Sequence, residues 1–228
     1  GAPNGRFQPI AANLDTLLVV IAPEPAPSFD LLHRYVAAAR IHDVEPIVVV
    51  HKTDLGIPET APFDALDEFG VEVFRTRSEP DVDLGGLDRR LRGGVHLLAG
   101  QSGVGKSSLS NALVPGIELE TRRLSRTTGK GRHTTTSARL HPLPAGGWLV
   151  DTPGVWEYGL WRMPPEELVR GFPEIRERAA GCRFRNCLHL EEPGCAVREA
   201  ADDGAIPASR YRAWRSLLKE QRRLADRG

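Results

Sequence analysis

The sequence predicts an α/β fold with a mostly parallel sheet, followed by a small helical subdomain. From Leu14 onward, short apolar runs alternate with amphipathic stretches, which is the pattern of strand, helix, strand units. Such units cover both faces of a parallel sheet with helices. After residue 163 the pattern becomes helical and loop-rich, and all three cysteines lie there. We therefore divide the chain into residues 12–163 and 164–228, with residues 1–11 as a linker or an expression remnant.

Composition limits what can be built on this fold. The 228 residues are 40% hydrophobic and 26% charged, enough for one core of about 150 residues and a small appendage. The 30 basic and 30 acidic residues give a net charge of +0, so any anion binding must be local. Residues 121–150 lack acidic side chains and carry Arg122, Arg123, Arg126, Lys130, Arg132 and Arg139. Since no apolar run of about 18 residues and no cleavable leader is found, we expect a cytoplasmic protein with no membrane segment.

The elements follow from apolar runs bounded by turn residues. Strands are predicted over 14–21, 46–50, 71–74, 95–99, 138–143 and 148–151. The last two form a hairpin through the turn at 144–147, which gives an antiparallel edge to the sheet. A helix over Phe29–Ile41 with Ser28 as its cap follows the first strand. Further helices are predicted over 108–113, after 164–165 and over 208–224.

A phosphate-binding motif, G-x-x-x-x-G-K-S, stands between the run 95–99 and the helix at 108–113. It consists of Gly100, Gln101, Ser102, Gly103, Val104, Gly105, Lys106 and Ser107, followed by Ser108. Its glycines let backbone N–H groups turn inward around phosphates, and the helix directs its positive end at them. We expect Lys106 to reach the terminal phosphates and Ser107 to ligate Mg²⁺. A glycine-rich turn that only packs is the alternative.

A second box, Asp151-Thr152-Pro153-Gly154, follows the strand at 148–151. Its Asp151 is placed to hold the metal, often through water, and Gly154 to offer a backbone N–H to the terminal phosphate. Alone, D-x-x-G is a weak signal that a capped turn also explains. The preceding phosphate loop is what favours the nucleotide role.

A third box, His51-Lys52-Thr53-Asp54, follows the strand at 46–50. The Asp54 carboxylate is able to accept two hydrogen bonds from guanine that adenine does not supply. The usual first residue of such a box is Asn. With His51 in its place, the contact that Asn makes to the base or to the phosphate loop is an open question. A surface turn is the alternative interpretation of the whole box. Arg77-Ser78 is a weaker candidate for a loop over the base. Because this box precedes the phosphate loop and the Asp151 box follows it, the three predict a circularly permuted P-loop GTPase fold.

Residues 122–137 have no apolar periodicity and are predicted to form a functional mobile loop. Among its hydroxyls, Thr135 is the first choice to complete the Mg²⁺ shell. Many GTPases carry a water-orienting glutamine at the position of Val155, which has no polar group. His133 is therefore the candidate for that task, and a solvated loop histidine is the alternative.

Three thiols and one imidazole lie within fourteen residues: Cys182, Cys187, His189 and Cys195. This is the ligand set of a closed, structural zinc site, and an odd cysteine count argues against a disulfide framework. Three unrelated free thiols are the alternative. The final helix carries a stripe of Tyr211, Trp214, Leu218 and Leu224 with basic residues around it, Arg210 among them. Those basic residues are predicted to form a solvated face or an RNA-facing surface.

Four features together resemble the ribosome small subunit-dependent GTPase A family. They are the permuted motif order, the Gly-x-His-Thr-Thr-Thr segment at 131–136, the Asp-Thr-Pro-Gly-Val box and the Cys-Cys-His-Cys loop ending at 192–196. The resemblance implies a bacterial GTPase that is stimulated by the small ribosomal subunit and acts in its late maturation. It implies that His133 is the catalytic residue and that Thr135 is the metal-binding switch threonine. Because a short connector joins Gly154 to the zinc-binding region, we hypothesise a GTP/GDP switch in which phosphate loss lowers the affinity of that region for rRNA. Members carry an OB-fold barrel ahead of this domain, which the dozen residues before the first strand do not provide.

Two other functions remain open at this point. A P-loop ATPase or kinase requires the box at 51–54 to be accidental. A non-catalytic RNA-binding module that uses nucleotide as a structural ligand is compatible with Val155. We expect a monomer that contacts the small subunit and its rRNA.

Overall fold

A six-stranded sheet forms the centre of the part of the chain that is described. The computed structural model describes residues 13–57, 63, 66–67, 69–78, 82–117, 139–151 and 164–226. Its strands are β1 Thr16–Ile21, β2 Glu45–Val50, β3 Glu72–Arg75, β4 Val95–Ala99, β5 Arg139–Pro142 and β6 Trp148–Asp151. The strand order is β3-β2-β1-β4-β6-β5. All neighbouring strands run parallel except the β5–β6 hairpin, as the sequence predicts.

Seven α-helices accompany these strands in the described ranges. They are α1 Phe29–Ile41, α2 Leu87–Arg90, α3 Lys106–Leu113, α4 Pro165–Leu168, α5 Pro173–Ala179, α6 Ala196–Asp202 and α7 Ala208–Asp226. The predicted bounds of α1 are confirmed, and Ser28 caps it by accepting from the backbone N–H of Leu31 at 3.3 Å. The predicted bounds of β4 and β6 are also confirmed, and the other predicted strand and helix bounds differ from the observed ones by at most two residues. None of the described helices has the length and apolar character needed to cross a membrane.

Alternate residues of β1 face the two sides of the sheet. Leu17 and Val19 pack on the side of α1, while Leu18 and Val20 pack on the side of α2 and α3. These side chains are almost fully buried, since a parallel strand covered on both faces is apolar at every position. Helices therefore lie on both faces of the sheet, as predicted.

A third core joins α1 to the helices after residue 163. Ala37 and Ile41 of α1 belong to the same buried cluster as Phe172, Trp214 and Leu217. A Cβ added at Gly171 would lie 2.8 Å from the Cβ of Ala37, so the two backbones approach closely there. The helices α4 to α7 therefore complete their core with a helix that also covers the sheet.

The interpretation of Arg210 as part of a solvated or RNA-facing surface is wrong. Its side chain is buried, and its Nε donates to Glu174 Oε1 at 2.6 Å. Its Nη2 donates to the carbonyl of Gly171 at 3.0 Å, and its guanidinium lies 4.4 Å from the centre of the Phe172 ring. Arg210 and Trp214 are four positions apart, so both side chains point to the same face of α7, which is the face toward the core.

Candidate functional site

The three nucleotide motifs meet at one edge of the sheet although they lie far apart in sequence. The box at 51–54 follows β2, the phosphate loop follows β4, and Asp151 is the last residue of β6. These strands are parallel within the order β2-β1-β4-β6. The carboxyl ends of parallel strands share an edge, where α/β proteins bind their ligands. The permuted order of the motifs is therefore compatible with one site.

The backbone of the phosphate loop requires glycine at its first position. Gly100 has a φ of +145°, and a Cβ there would lie 2.2 Å from the carbonyl oxygen of Val20. The loop leads directly into α3, which begins at Lys106. The Lys106 Nζ donates to the carbonyls of Gly100 and Gln101 at 2.6 and 2.8 Å. The ammonium group thus lies over the loop, and Ser107 and Ser108 lie in the first turn of α3.

Lys52 ties the box at 51–54 to the phosphate loop. It adopts the left-handed conformation with a φ of +59°. Its Nζ donates to the carbonyl of Gly103 at 2.7 Å and to the carbonyl of Glu24 at 3.3 Å. The two predicted nucleotide-binding segments are therefore in direct contact.

The loop after β3 supports the same box from the other side. The backbone N–H of Ser78 donates to Asp54 Oδ1 at 3.1 Å. The Thr53 backbone N–H and Oγ1 both donate to the carbonyl of Thr76 at 3.1 Å. Arg77-Ser78, the weaker candidate, does lie beside Asp54. Thr76 was missed, although a polar residue at the end of the strand next to β2 was a signal for it.

His51 is buried between this loop and the phosphate loop, with 2% of its surface exposed. Its Nδ1 lies 2.8 Å from Thr76 Oγ1, and its Nε2 lies 3.1 Å from Ser78 Oγ. Burial, with a smaller effect of the Lys52 charge, lowers the pKa of His51 to about 4. The imidazole is therefore neutral near pH 7, with one nitrogen protonated.

The phosphate loop also contacts α1, which the sequence did not indicate. The backbone N–H of Ser28 donates to Gln101 Oε1 at 3.2 Å. Farther along α1, Arg34 bonds to Glu220 of α7, and its Nη2 donates to Ser216 Oγ at 3.0 Å. A single helix therefore touches both the phosphate loop and α7.

Several predicted site residues lie outside the described residues. These are His133, Thr135 and Gly154. Asp151 is described as the last residue of β6, without its side chain. The predicted roles of these four residues remain predictions.

The four predicted zinc ligands converge. Among the described residues, Cys182, Cys187, His189 and Cys195 bring their ligand atoms within 4.8 Å of one another. The Sγ atoms of Cys182 and Cys195 are 3.9 Å apart, and each lies 3.5 Å from His189 Nδ1. Bond lengths typical of zinc place two sulfurs about 3.8 Å apart and a sulfur and a nitrogen about 3.6 Å apart in a tetrahedron. The donor set and spacing fit a tetrahedral zinc ion.

Two side chains of α7 hold the backbone of this zinc loop, residues 182–195. The Tyr211 hydroxyl donates to the carbonyl of His189 at 2.7 Å. The Trp214 Nε1 donates to the carbonyl of Leu188 at 3.2 Å. His189 itself has a φ of +60°, a left-handed conformation that is uncommon for L-residues. The fold thus fixes the backbone that carries the imidazole.

Glu192 supports the loop from within. Its carboxylate accepts from the backbone N–H groups of Leu188, Leu190 and Glu191 at 2.9 to 3.1 Å. Burial opposes its ionisation, but these N–H groups outweigh burial and lower the pKa of Glu192 to about 2. The carboxylate is therefore ionised at neutral pH and organises the turn between two ligands.

Comparison with known proteins gives the relatives of this chain. A relative from Burkholderia mallei (strain SAVP1), named small ribosomal subunit biogenesis GTPase RsgA, is 46% identical over 92% of this chain and 68% of its own length. The relative from Vibrio vulnificus (strain YJ016), named small ribosomal subunit biogenesis GTPase RsgA 1, is 37% identical over 93% of this chain and 62% of its own length. The chain thus spans about two thirds of these relatives.

Solved structures show the same architecture. YjeQ from Thermotoga maritima superposes with a TM-score of 0.73 at 30% identity, over 92% of this chain and 72% of that one. YloQ, described as a circularly permuted GTPase, superposes with a TM-score of 0.70 at 32% identity, over 95% of this chain and 70% of that one. The predicted permuted fold is confirmed. Since the sequence model of the RsgA GTPase family matches residues 2–161, the chain belongs to that family.

Proposed function

We propose that this protein is a GTP hydrolase that acts in the biogenesis of the small ribosomal subunit. The observation that carries the proposal is the joining of the box at 51–54 to the phosphate loop, through Lys52 and the carbonyl of Gly103. The relatives' names supply the biological setting. We assign the late stage of maturation to it, with rRNA of the small subunit as the partner.

Guanine is selected by Asp54 in this proposal. Its carboxylate accepts from the ring N–H and the exocyclic amine of guanine, a pair of donors that adenine lacks. The N–H groups of the loop from Gly100 to Gly105 and the Lys106 ammonium hold the phosphates. Ser107, Thr135 and Asp151 hold Mg²⁺, which neutralises charge on the phosphates, and Gly154 contacts the terminal phosphate.

Hydrolysis requires a group that orients the attacking water. His133 takes this role because the position after the Asp151 box holds Val155, which neither donates nor accepts hydrogen bonds. The histidine lies in a segment rich in hydroxyl and basic side chains. An imidazole in its neutral form is able to hydrogen-bond a water molecule near pH 7.

The zinc loop takes a structural role. Three thiolates and one imidazole fill all four positions of a tetrahedral ion and leave none for a substrate. A bound ion would therefore cross-link the four ligands of the loop. Tyr211 and Trp214 orient the loop through its carbonyls, which is the usual work of residues around a metal site.

The switch is coupled to rRNA binding through α1. This helix touches the phosphate loop at Gln101 and α7 at Arg34, and α7 holds the zinc loop. Loss of the terminal phosphate is able to change the conformation of the helical subdomain, residues 164–228, only if such a contact differs between the GTP and GDP states. Measuring amide exchange of residues 182–226 with a GTP analogue and with GDP tests this, and identical protection contradicts it.

The central experiment measures nucleotide binding and turnover together. GDP should displace a fluorescent guanine nucleotide about 100-fold better than ADP, and Lys106→Ala should abolish binding. Purified small ribosomal subunits should accelerate GTP hydrolysis, and His133→Ala should remove that acceleration while binding persists. Preference for ATP contradicts the role of Asp54. Tight GTP binding without turnover contradicts hydrolysis, and full turnover by His133→Ala contradicts the role of His133.

A further inference from the structure

We infer that His51 is a positioning residue for guanine selection, which orients Asp54 through Ser78 and does not itself contact the base. The inference rests on the proposed guanine nucleotide function and concerns the residue that replaces the usual asparagine. It is carried by the hydrogen bonds of the imidazole and by its fit against the phosphate loop.

The ring nitrogens of His51 are both engaged by protein hydroxyls. Nδ1 lies 2.8 Å from Thr76 Oγ1 and Nε2 lies 3.1 Å from Ser78 Oγ. A neutral imidazole has one donor and one acceptor, so these two contacts use its full hydrogen-bonding capacity. The side chain is also almost fully buried. His51 therefore has no polar atom to offer to a base.

The two hydroxyl residues connect His51 to the rest of the box. The Ser78 hydroxyl is hydrogen-bonded to the imidazole, and the Ser78 backbone N–H donates to Asp54 Oδ1. The Thr76 hydroxyl is hydrogen-bonded to the other imidazole nitrogen, and the Thr76 carbonyl accepts from Thr53. A closed set of contacts thus links the first residue of the box to the last two. Moving the imidazole would move Ser78 and with it the carboxylate of Asp54.

The phosphate loop fixes the other side of the ring. A Cβ added at Gly105 would lie 2.5 Å from His51 Cδ2 and 3.0 Å from its Nε2. The edge of the imidazole therefore lies directly against the backbone of the phosphate loop. His51 sets the distance between the part of the site that selects the base and the part that holds phosphate.

The size of the imidazole explains why asparagine is no substitute here. The amide of an asparagine reaches the place of Nδ1, and the amide of a glutamine reaches the place of Nε2. His51→Asn therefore keeps the Thr76 contact and loses the Ser78 contact. His51→Gln keeps the Ser78 contact, which is the one that leads to Asp54.

The test compares GDP with inosine diphosphate, which lacks the exocyclic amine that Asp54 binds. Dissociation constants for both nucleotides are measured for the full chain and for His51→Asn, His51→Gln, His51→Ala and Ser78→Ala. The unmodified protein should bind GDP at least about tenfold more tightly than inosine diphosphate, since a bond to a charged group is lost. His51→Ala should reduce this ratio to about threefold or less. His51→Gln should preserve more of the ratio than His51→Asn.

Two controls separate positioning from general support. His42→Ala removes an exposed histidine at the end of α1 and should leave both constants unchanged. Thermal melting identifies any variant that fails to fold, and Ser78→Ala then tests the same path without replacing the buried ring.

Two outcomes would overturn the inference. Equal losses of GDP and inosine diphosphate affinity in His51→Ala and His51→Gln assign a merely structural role. Tighter GDP binding by His51→Asn means that the usual asparagine contact is better, which also overturns it. If the unmodified protein fails to prefer GDP over ADP, the proposed guanine nucleotide function fails instead. The two failures are therefore distinguishable.

Discussion

The nucleotide edge and the zinc loop are built in opposite ways. At the nucleotide edge, segments 51–54, 76–78 and 100–107 come from three different strands, and the sheet brings them together. Their polar groups bond mainly to each other, as His51, Lys52 and Asp54 do. In the zinc loop, four ligands from one window of fourteen residues crowd their donor atoms within 4.8 Å. The first arrangement is joined by its own hydrogen bonds, whereas the second brings together donor atoms that, in our proposal, a zinc ion joins.

This difference gives the largest expected effect. Removing metal with a chelator should unfold residues 182–195, because metal binding to such loops contributes on the order of 10 kcal/mol in isolated zinc peptides. GDP affinity should fall far less, since the nucleotide edge keeps its own hydrogen bonds. Metal analysis, amide exchange and GDP titration of the same chelated sample check this.

The matched variant is Cys182→Ala. Without chelator, it should contain less metal and melt at a lower temperature than the wild-type chain. Adding chelator should then change its melting temperature little. A purified wild-type chain that holds no metal and melts at the same temperature with and without chelator contradicts the zinc site and leaves three free thiols.

The second effect concerns the core that joins the two regions. Arg210→Ala should lower the free energy of unfolding by about 3 to 5 kcal/mol, because it leaves the buried carboxylate of Glu174 without its partner. Replacing both residues together, as Arg210→Met with Glu174→Leu, should recover much of the loss. Urea unfolding measures both variants.

Arg212→Ala is the control for Arg210→Ala, because Arg212 lies two residues away on the exposed face of α7. It should change stability by no more than about 0.5 kcal/mol. A double variant that is less stable than Arg210→Ala would show that the ion pair is not the source of the loss.

The third effect contrasts a buried histidine of the nucleotide edge with a buried histidine of α1, the helix that packs against α7. His51 has both ring nitrogens bonded, whereas those of His33 on α1 have no partner among the described residues. Burial, assisted by the charges of Arg210 and Arg212, lowers the pKa of His33 from 6.5 to about 3. Below pH 6.5 the unfolded chain binds a proton that the folded chain excludes, so stability falls as the pH decreases. Between pH 7 and pH 5 this loss amounts to about 2 kcal/mol.

His33→Leu should remove this part of the acid sensitivity. It should cost little stability at pH 7, because an apolar side chain of similar volume replaces an imidazole whose nitrogens have no hydrogen-bond partner. Some sensitivity should remain, since the lowered pKa of His51 acts in the same direction. Urea unfolding at both pH values gives the slope. An unchanged slope in His33→Leu would assign the acid sensitivity to other groups.

The sequence predicted the parts of the molecule whose constraints are local. The phosphate loop before α3, the convergence of Cys182, Cys187, His189 and Cys195, and the capped helix α1 each follow from spacing within a short segment. The burial of Arg210 and the contacts of Thr76 with His51 depend on packing between distant segments, which periodicity does not specify. The sequence placed Arg210 on a solvated face because it is one of several basic residues in α7, whereas its contacts with Glu174, Gly171 and Phe172 explain its burial.

The smallest effect tests the contact between α1 and α7. Arg34 and Glu220 form a partly exposed ion pair, with 19% and 35% of their side chains accessible. A double-mutant cycle with Arg34→Ala and Glu220→Ala should give a coupling of about 0.5 kcal/mol that decreases with added salt. Arg170 and Asp43 form a more exposed pair, at 46% and 82%, and their coupling should be smaller. A larger coupling in the exposed pair would mean that burial does not set the strength of these contacts. A coupling of zero between Arg34 and Glu220 would deprive the proposed route through α1 of this link to α7.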